Sequence, residues 1–375
     1  MKIKRMRIYR PQNLNPHFNQ SNMLITVETD DGLTGIGEGG SPDTLKQCGS
    51  MLVGEDASRI QHLWQLMYRG YFYPAGREKL HALGALDLAL WDLSGKRLGV
   101  PVYALLGGLT RDYLECYSTA FPWQGSHAAT AQACLKAGFR AYRMSVAESH
   151  DGVFTARRMV EQTAEDCRQV YEAIGAEGDW SIDFHTRLDL ANAARLCHLI
   201  EPYNPLFVED PLRSENPGAL TTLRQMVRAP LAVGEQYGDR WDINTLLEAH
   251  TIDYTRQTLP NVGGITEWMK LAALCETHHV GMVPHFTGQV ALAALVHVLC
   301  SLPVPALVEI LGESPKLPPH LTACCTFKDG KLWPNDRPGL GVEFDPSQAE
   351  LVAEVDEHFA PVPTLRRPDG SLTNW

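Results

Sequence analysis

The sequence predicts an α/β protein, a (β/α) barrel of eight units joined to a smaller α+β unit at its N-terminal side. Three observations predict it. Short apolar, β-branched runs alternate with amphipathic helical stretches eight times between residues 114 and 310, the rhythm of βα units that close into a barrel. Several of these runs are almost continuously apolar, as strands covered on both faces must be. Three of them carry an acid at or near their end, Asp183, Glu209 and Glu235, 26 residues apart each time.

Taken in order, Met23–Gly37 (MLITVETDDGLTGIG) places two β-rich runs around Asp30-Asp31-Gly32 and predicts a hairpin. Leu83–Leu98 has helical spacing and stops at Gly99, with Pro101 following. The α+β unit therefore ends near residue 112. The eight strand candidates are LECYST, FRAYRMS, WSIDFH, LFVED, LAVGE, DYTRQT, GMVPH and ALVEI, separated by helices such as Thr155–Ile174 and Ile265–His278. Val290–Leu311 is the most membrane-like stretch. It holds His297, Pro303, Pro305 and Glu309, so it reads as a buried helix followed by a short strand. The barrel spans 113–320, and a loop-rich tail covers 321–375.

The chain has 375 residues, 44% of them hydrophobic, and a formal net charge of −11. That balance disfavours nucleic acid or an anionic membrane as partner, because both reward a basic face. It leaves an anionic small molecule open, since a bound cation and local Arg residues can reverse the sign of one pocket. Nine cysteines, an odd number, several of them inside apolar stretches, read as reduced core thiols of a cytoplasmic protein. The N-terminus is basic but has no apolar segment, so no signal peptide is indicated.

The regular spacing of Asp183, Glu209 and Glu235 should put the three acids at equivalent places on the C-terminal ends of neighbouring strands, where barrel active sites form. Like charges converging there raise one another's pKa unless a cation is present. Oxygen-only ligands favour Mg²⁺. A single strand-end acid is more often paired with an Arg or used as a helix cap. Three in register make that alternative much weaker. Arg143 and Ser145 end the second strand candidate. His185, two residues after Asp183, should face the same side. His285 ends the seventh candidate and Glu309 lies near the end of the eighth.

These residues resemble the mandelate racemase subgroup of the enolase superfamily, and within it the sugar-acid dehydratases that act on D-galactonate and D-mannonate. The matching segments are Ala85–Gly108, Ser181–Asp189, Leu206–Leu212, Leu231–Tyr237, Val262–Ala272, VPHFTG and Arg337–Asp345. The resemblance implies that Asp183, Glu209 and Glu235 bind Mg²⁺, that His185 and His285 are acid/base residues, and that Glu309 helps bind the substrate carboxylate. It implies that the N-terminal unit and the tail form one capping domain over the barrel mouth, with His17 in a substrate-selecting loop. It also implies a homo-oligomer acting on an aldonate. Two positions depart from it. Many members carry Lys-x-Lys where this chain reads Arg143-Met144-Ser145, and the Tyr that works beside such an Arg in mannonate dehydratases is absent from Val146–Thr163. The Asp that pairs with the seventh-strand histidine in galactonate dehydratases is Thr258 here.

The expected chemistry is removal of a proton α to a carboxylate, with Mg²⁺ stabilising the charge that forms, followed by loss of the β-hydroxyl to give a 2-keto-3-deoxy acid. Thr258 cannot stabilise a charged imidazole, which favours His285 as base and His185 as acid; Arg143, always protonated, positions the substrate or stabilises negative charge. The rival readings are a hydroxy-acid epimerase or racemase on the same scaffold, and a sugar-acid-binding regulatory protein.

Overall fold

A computed structural model describes residues 1–11, 23–147, 152–176, 178–323 and 325–374. The first strands, β1 (Ile3–Pro11), β2 (Leu24–Thr29) and β3 (Thr34–Glu38), pair antiparallel, and β2 and β3 form the hairpin expected around Asp31. The sequence of β3, TGIGE, turns both glycines towards a helix. A Cβ on Gly37 would lie 1.8 Å from Ala85 O and one on Gly35 2.1 Å from Ala89 O. Glycine at alternate positions thus lets a long helix lie directly on the strand. Helices α1 (Pro42–Ser50) and α2 (Ile60–Arg69) precede it, and the long helix is α3 (Arg77–Leu98), which ends at Gly99 as expected. Ile25, Val27, Leu45, Leu63, Leu86 and Leu90 form the core between sheet and helices. A one-turn helix, α4 (Val102–Leu105), leads on to the barrel.

Eight parallel strands follow: β4 (Leu114–Thr119), β5 (Ala141–Ser145), β6 (Asp179–Asp183), β7 (Val208–Glu209), β8 (Leu231–Val233), β9 (Tyr254–Thr255), β10 (Gly281–Met282) and β11 (Val308–Leu311). Each of the eight runs read from the sequence contributes one. Neighbours pair in chain order, β11 pairs with β4, and a parallel bridge between Met282 and Ala306 joins the last two, so the ring is closed. Helices α5 (His127–Lys136), α6 (Ala156–Ile174), α7 (Leu190–Ile200), α8 (Pro217–Met226), α9 (Arg240–Glu248), α10 (Ile265–Thr277) and α11 (Gln289–Ser301) alternate with the strands. Helix α11 is buried from Val290 to Ser301, which accounts for its membrane-like sequence. No described helix is long and apolar enough to cross a membrane.

Side-chain alternation stacks the barrel interior in layers. Tyr117, Ala141, Phe207, Ala232, Val283 and Leu307 form a separate apolar cluster. One inward step further along the strands stand Thr119, Arg143, Asp183, Glu209 and Glu309, which are polar.

Beyond the barrel, β12 (Leu321–Ala323) pairs with β15 (Glu343–Phe344), and β13 (Thr326–Lys328) with β14 (Lys331–Trp333). β14 also pairs antiparallel with β4, while β16 (Ala349–Val355) pairs with β1 as the edge of the first sheet. The tail therefore touches both the barrel and the N-terminal sheet. Buried carboxylates fasten the two further. Asp87 on α3 accepts from Thr266 N (2.9 Å) at the start of α10, and Glu38 accepts from Val290 N (2.9 Å) and Ala291 N (3.0 Å) at the start of α11. Both give the free N–H groups of a helix N-terminus an oxygen acceptor. The eight described cysteines are free thiols, seven of them buried.

Candidate active site

Asp183 and Glu209 end adjacent strands and are register partners. Glu209 in turn pairs with Ala232, so Glu235 lies past the end of β8 rather than level with the other two. Equal spacing in sequence thus does not give equal height here, because β8 ends at Val233, two residues short of its acid.

Two guanidiniums organise the polar layer. Arg143 Nε donates to Thr119 Oγ1 (2.7 Å), its Nη1 bonds Asp183 Oδ2, and the same atom lies 3.3 Å from Glu209 Oε1. Arg256, fully buried just beyond β9, has Nη2 2.6 Å from Glu209 Oε1 and 2.8 Å from Glu309 Oε2, while Nη1 donates to Val283 O (3.1 Å) and to the Tyr117 hydroxyl. Both oxygens of Glu309 are engaged: Oε1 accepts from Thr119 Oγ1 (2.5 Å), and Oε2 also accepts from Phe286 N (3.0 Å). Burial pushes Glu309 up, but Arg256 and Arg143 outweigh it and hold the carboxyl below its ordinary range.

On the other side of Glu209 the balance is different. Oxygens of Glu209, Asp210 and Glu235 lie within 4.8 Å of one another. Glu209 Oε2 and Asp210 Oδ2 are buried without a hydrogen-bond partner. Burial drives both carboxyls well above the usual range, against the pull of the nearby arginines. Four carboxyls, Asp183, Glu209, Asp210 and Glu309, thus face two guanidiniums, and Glu235 adjoins Glu209 and Asp210. A donor set of hard oxygens with two orphaned atoms fits a divalent cation such as Mg²⁺. Asp183 is outside the 4.8 Å group. Its Oδ2 is held by Arg143 and its Oδ1 accepts from His185 N (2.6 Å).

His285 adjoins this cluster. Its Nε2 lies 3.4 Å from Glu235 Oε2, and Nδ1 is 2.8 Å from Phe286 O. It stands three residues beyond β10 rather than at its end. Thr258 is buried and lines, with His285, Glu309, Asn261, Gln289 and Lys316, a cavity of about 530 Å³. Strand alternation stops at Asp183, and His185 takes a left-handed backbone (φ 50°) that leaves the residue exposed. Ser145 is also exposed. His17 lies outside the described residues.

Three participants were not singled out from sequence. Asp210 follows Glu209 directly, and simple alternation sends it to the opposite face. Its left-handed backbone (φ 34°) reverses that, with Oδ1 accepting from Gly234 N (3.2 Å). Arg256, an arginine within the strand run DYTRQT, carried a signal: a cation placed there needs buried acids to pair with. Glu38 is remote in sequence and gave none.

Residues 7–107 match the family model described as mandelate racemase / muconate lactonizing enzyme, N-terminal domain, and residues 126–348 the one described as enolase C-terminal domain-like. The D-galactonate dehydratase of Ralstonia pickettii is 35% identical over 396 residues, covering 100% of both chains. That of Cronobacter sakazakii is 33% identical over 395 residues, again with 100% of both covered. Among solved structures, an enolase from Agrobacterium radiobacter bound to Na and L-malate superposes with a TM-score of 0.83 at 30% identity over 99% of each chain. A mandelate racemase/muconate lactonizing enzyme from Jannaschia sp. CCS1 gives 0.83 at 26% identity, covering 93% of this chain and 96% of that one.

Proposed function

The chain belongs to the mandelate racemase / muconate lactonizing enzyme family of the enolase superfamily, and from that premise we propose that it is a Mg²⁺-dependent hydro-lyase that dehydrates a sugar acid to a 2-keto-3-deoxy acid. The observation that carries this reading is the contact of His285 Nε2 with Glu235, beside the partnerless oxygens of Glu209 and Asp210. A proton-accepting group and a cation-binding acid cluster meet there at the edge of a cavity of sugar size. Full-length similarity to D-galactonate dehydratases supports dehydration as the outcome.

Glu209 and Glu235, with Asp183, would hold Mg²⁺, and Asp210 stands beside them. When bound, the cation supplies electrostatic stabilisation for the negative charge that develops on the substrate carboxylate. Phe286 O can only accept, so Nδ1 of His285 carries a hydrogen, and in the neutral ring Nε2 is then the atom with the lone pair. His285 takes the α-proton at Nε2, and Glu235 faces the imidazolium that results. His185, on the exposed rim, gives its proton to the departing β-hydroxyl, which leaves as water. The enol product then ketonises. Arg143 and Arg256 keep their protons and hold the acid layer in shape. Glu309 spends both oxygens on that layer and on Phe286 N; it lines the cavity, and its part in seating the substrate carboxylate is to fix the arginines and the Phe286 backbone around it.

Racemisation needs a second base opposite His285. The second-strand position that would supply it is Arg143, bound to Asp183 and permanently protonated. The test is a screen of a sugar-acid library with Mg²⁺ for 2-keto-3-deoxy product. Turnover of at least one acid supports the reading, and epimer formation without keto acid overturns it.

A further inference from the structure

His285 sits on the segment between β10 and α11, and that segment is gripped from two sides. From inside the barrel, Glu309 accepts the Phe286 N–H (3.0 Å). From the N-terminal sheet, Glu38 accepts Val290 N–H and Ala291 N–H, two donors of the first turn of α11 that no helix carbonyl can satisfy. Glu38 is the last residue of β3 and is 8% exposed. Between the two grips lies Gly288, whose backbone (φ −65°, ψ 170°) any residue can adopt. Its lack of a side chain has another cause. A Cβ there would lie 1.8 Å from Glu38 Oε1, 2.2 Å from Cδ and 2.5 Å from Oε2, the three nearest atoms all belonging to Glu38.

We infer that Glu38 is a positioning residue for the proton-transfer step: through its contacts with Gly288, Val290 and Ala291 it holds the His285 segment in place and couples the capping sheet to the reacting histidine. It touches no reacting atom. Its carboxylate replaces water at the start of α11 and fills the space over Gly288, so the loop has one seat. A loop that slides on α11 carries His285 away from Glu235 and from the substrate α-carbon. The inference rests on the assignment of His285 as base, but the Glu38–Gly288 contact is testable without it.

The experiment is a double-mutant cycle on the full chain with Glu38→Ala, Gly288→Ala and the combination, read by steady-state kinetics on the sugar acid that the chain turns over and by amide hydrogen exchange. Glu38→Ala should lower kcat by roughly 10–100-fold with KM changed by less than about threefold, the cost of a misplaced reacting group. Gly288→Ala should do the same by displacing the carboxylate. The double variant should be no worse than Glu38→Ala alone, because the space that the new methyl needs has been vacated. Glu38→Gln, whose side-chain oxygen can still accept from α11, should recover at least about threefold of the loss. Amides 286–291 should exchange faster in Glu38→Ala while those of β1 and β2 stay protected. Parent-like kcat and exchange in Glu38→Ala, or losses in the double variant that add, would overturn the inference. Where Glu38→Ala does not fold, Gly288→Ala and Glu38→Gln still decide it. Should the chain dehydrate no sugar acid, exchange and the urea midpoints of the cycle still report on the contact, so failure of the functional reading is told apart from failure of this one.

Discussion

Arg256 Nη2 lies 2.6 Å from Glu209 Oε1, and this contact leaves Oε2 as the oxygen without a partner. The guanidinium therefore chooses which face of Glu209 is offered to the acid cluster. It also neutralises Glu309, 2.8 Å away. All three side chains are fully buried. Replacing Arg256 with Met should cost about 3–5 kcal/mol, the usual penalty for leaving buried charges unpaired. A fall in the urea midpoint measures it, and a midpoint equal to the parent's would show that the acids are satisfied some other way.

Glu209→Gln keeps the shape of the side chain and removes its charge. We expect a folded protein with a parent-like circular dichroism spectrum, no detectable turnover and a Mg²⁺ affinity weakened at least about tenfold, as expected when a hard-oxygen ligand loses its charge. Calorimetric titration with Mg²⁺ checks the second outcome independently of activity. EDTA should silence the parent, and full activity in EDTA would remove the cation from the reading.

Much of this was legible in the sequence because period and spacing carry it. The eight runs became eight strands, since near-continuous apolar character has few other uses in a chain of alternating helices. Asp183 and Glu209 became register partners. What could not be read depends on how the chain leaves a strand. Asp210 directly follows Glu209 and His185 lies two residues after Asp183, and both adopt left-handed backbone, so the alternation rule no longer applies at the point where the site is built. Glu235 shows the same limit, because strand length and not residue count sets the height of a side chain. Contacts between distant segments, such as Glu38 with α11, leave no local pattern at all. TGIGE on β3 reads as a glycine-rich strand, and the role of its final glutamate depends on a helix some 250 residues later.

Asp87 gives a pH-dependent outcome. Burial pushes its carboxyl up to about 7, although the Thr266 side chain and N–H pull the other way. Its Oδ1 has no partner. The folded state thus keeps a proton that the unfolded chain releases near 3.8, so stability from this group is present at low pH and is lost as pH rises through about 7. Asp87→Asn cannot titrate. Relative to the parent it should gain stability between about pH 4 and pH 7, by at most about 4 kcal/mol. Denaturation midpoints of both proteins across that window measure the difference. A constant difference would mean that Asp87 stays ionised in the fold.

Arg143 spans two partners in two directions, Thr119 through Nε and Asp183 through Nη1. A lysine ammonium cannot reproduce that fork. Arg143→Lys should therefore lower kcat by about tenfold or more, as loss of a charge-assisted hydrogen bond worth about 1.5–3 kcal/mol requires. Parent-like kinetics would assign Arg143 a charge-balancing role that any cation can fill.

The division of proton work between the two histidines can be separated by isotope exchange in D₂O. His285 has its Nδ1 committed to Phe286 O, which leaves Nε2 facing the cluster, the placement expected of the base in the proposed reaction. His185 stands on the rim with its backbone N–H tied to Asp183, where a donor can meet a leaving hydroxyl. His285→Asn should stop both exchange of the α-proton and dehydration, because nothing else removes that proton. His185→Asn should stop dehydration while the α-proton continues to exchange, since the first step does not need the acid. Exchange lost in His185→Asn and kept in His285→Asn would reverse the roles. That result would also show that Thr258, which lines the same cavity and offers His285 no charge, does not decide which imidazole serves as base.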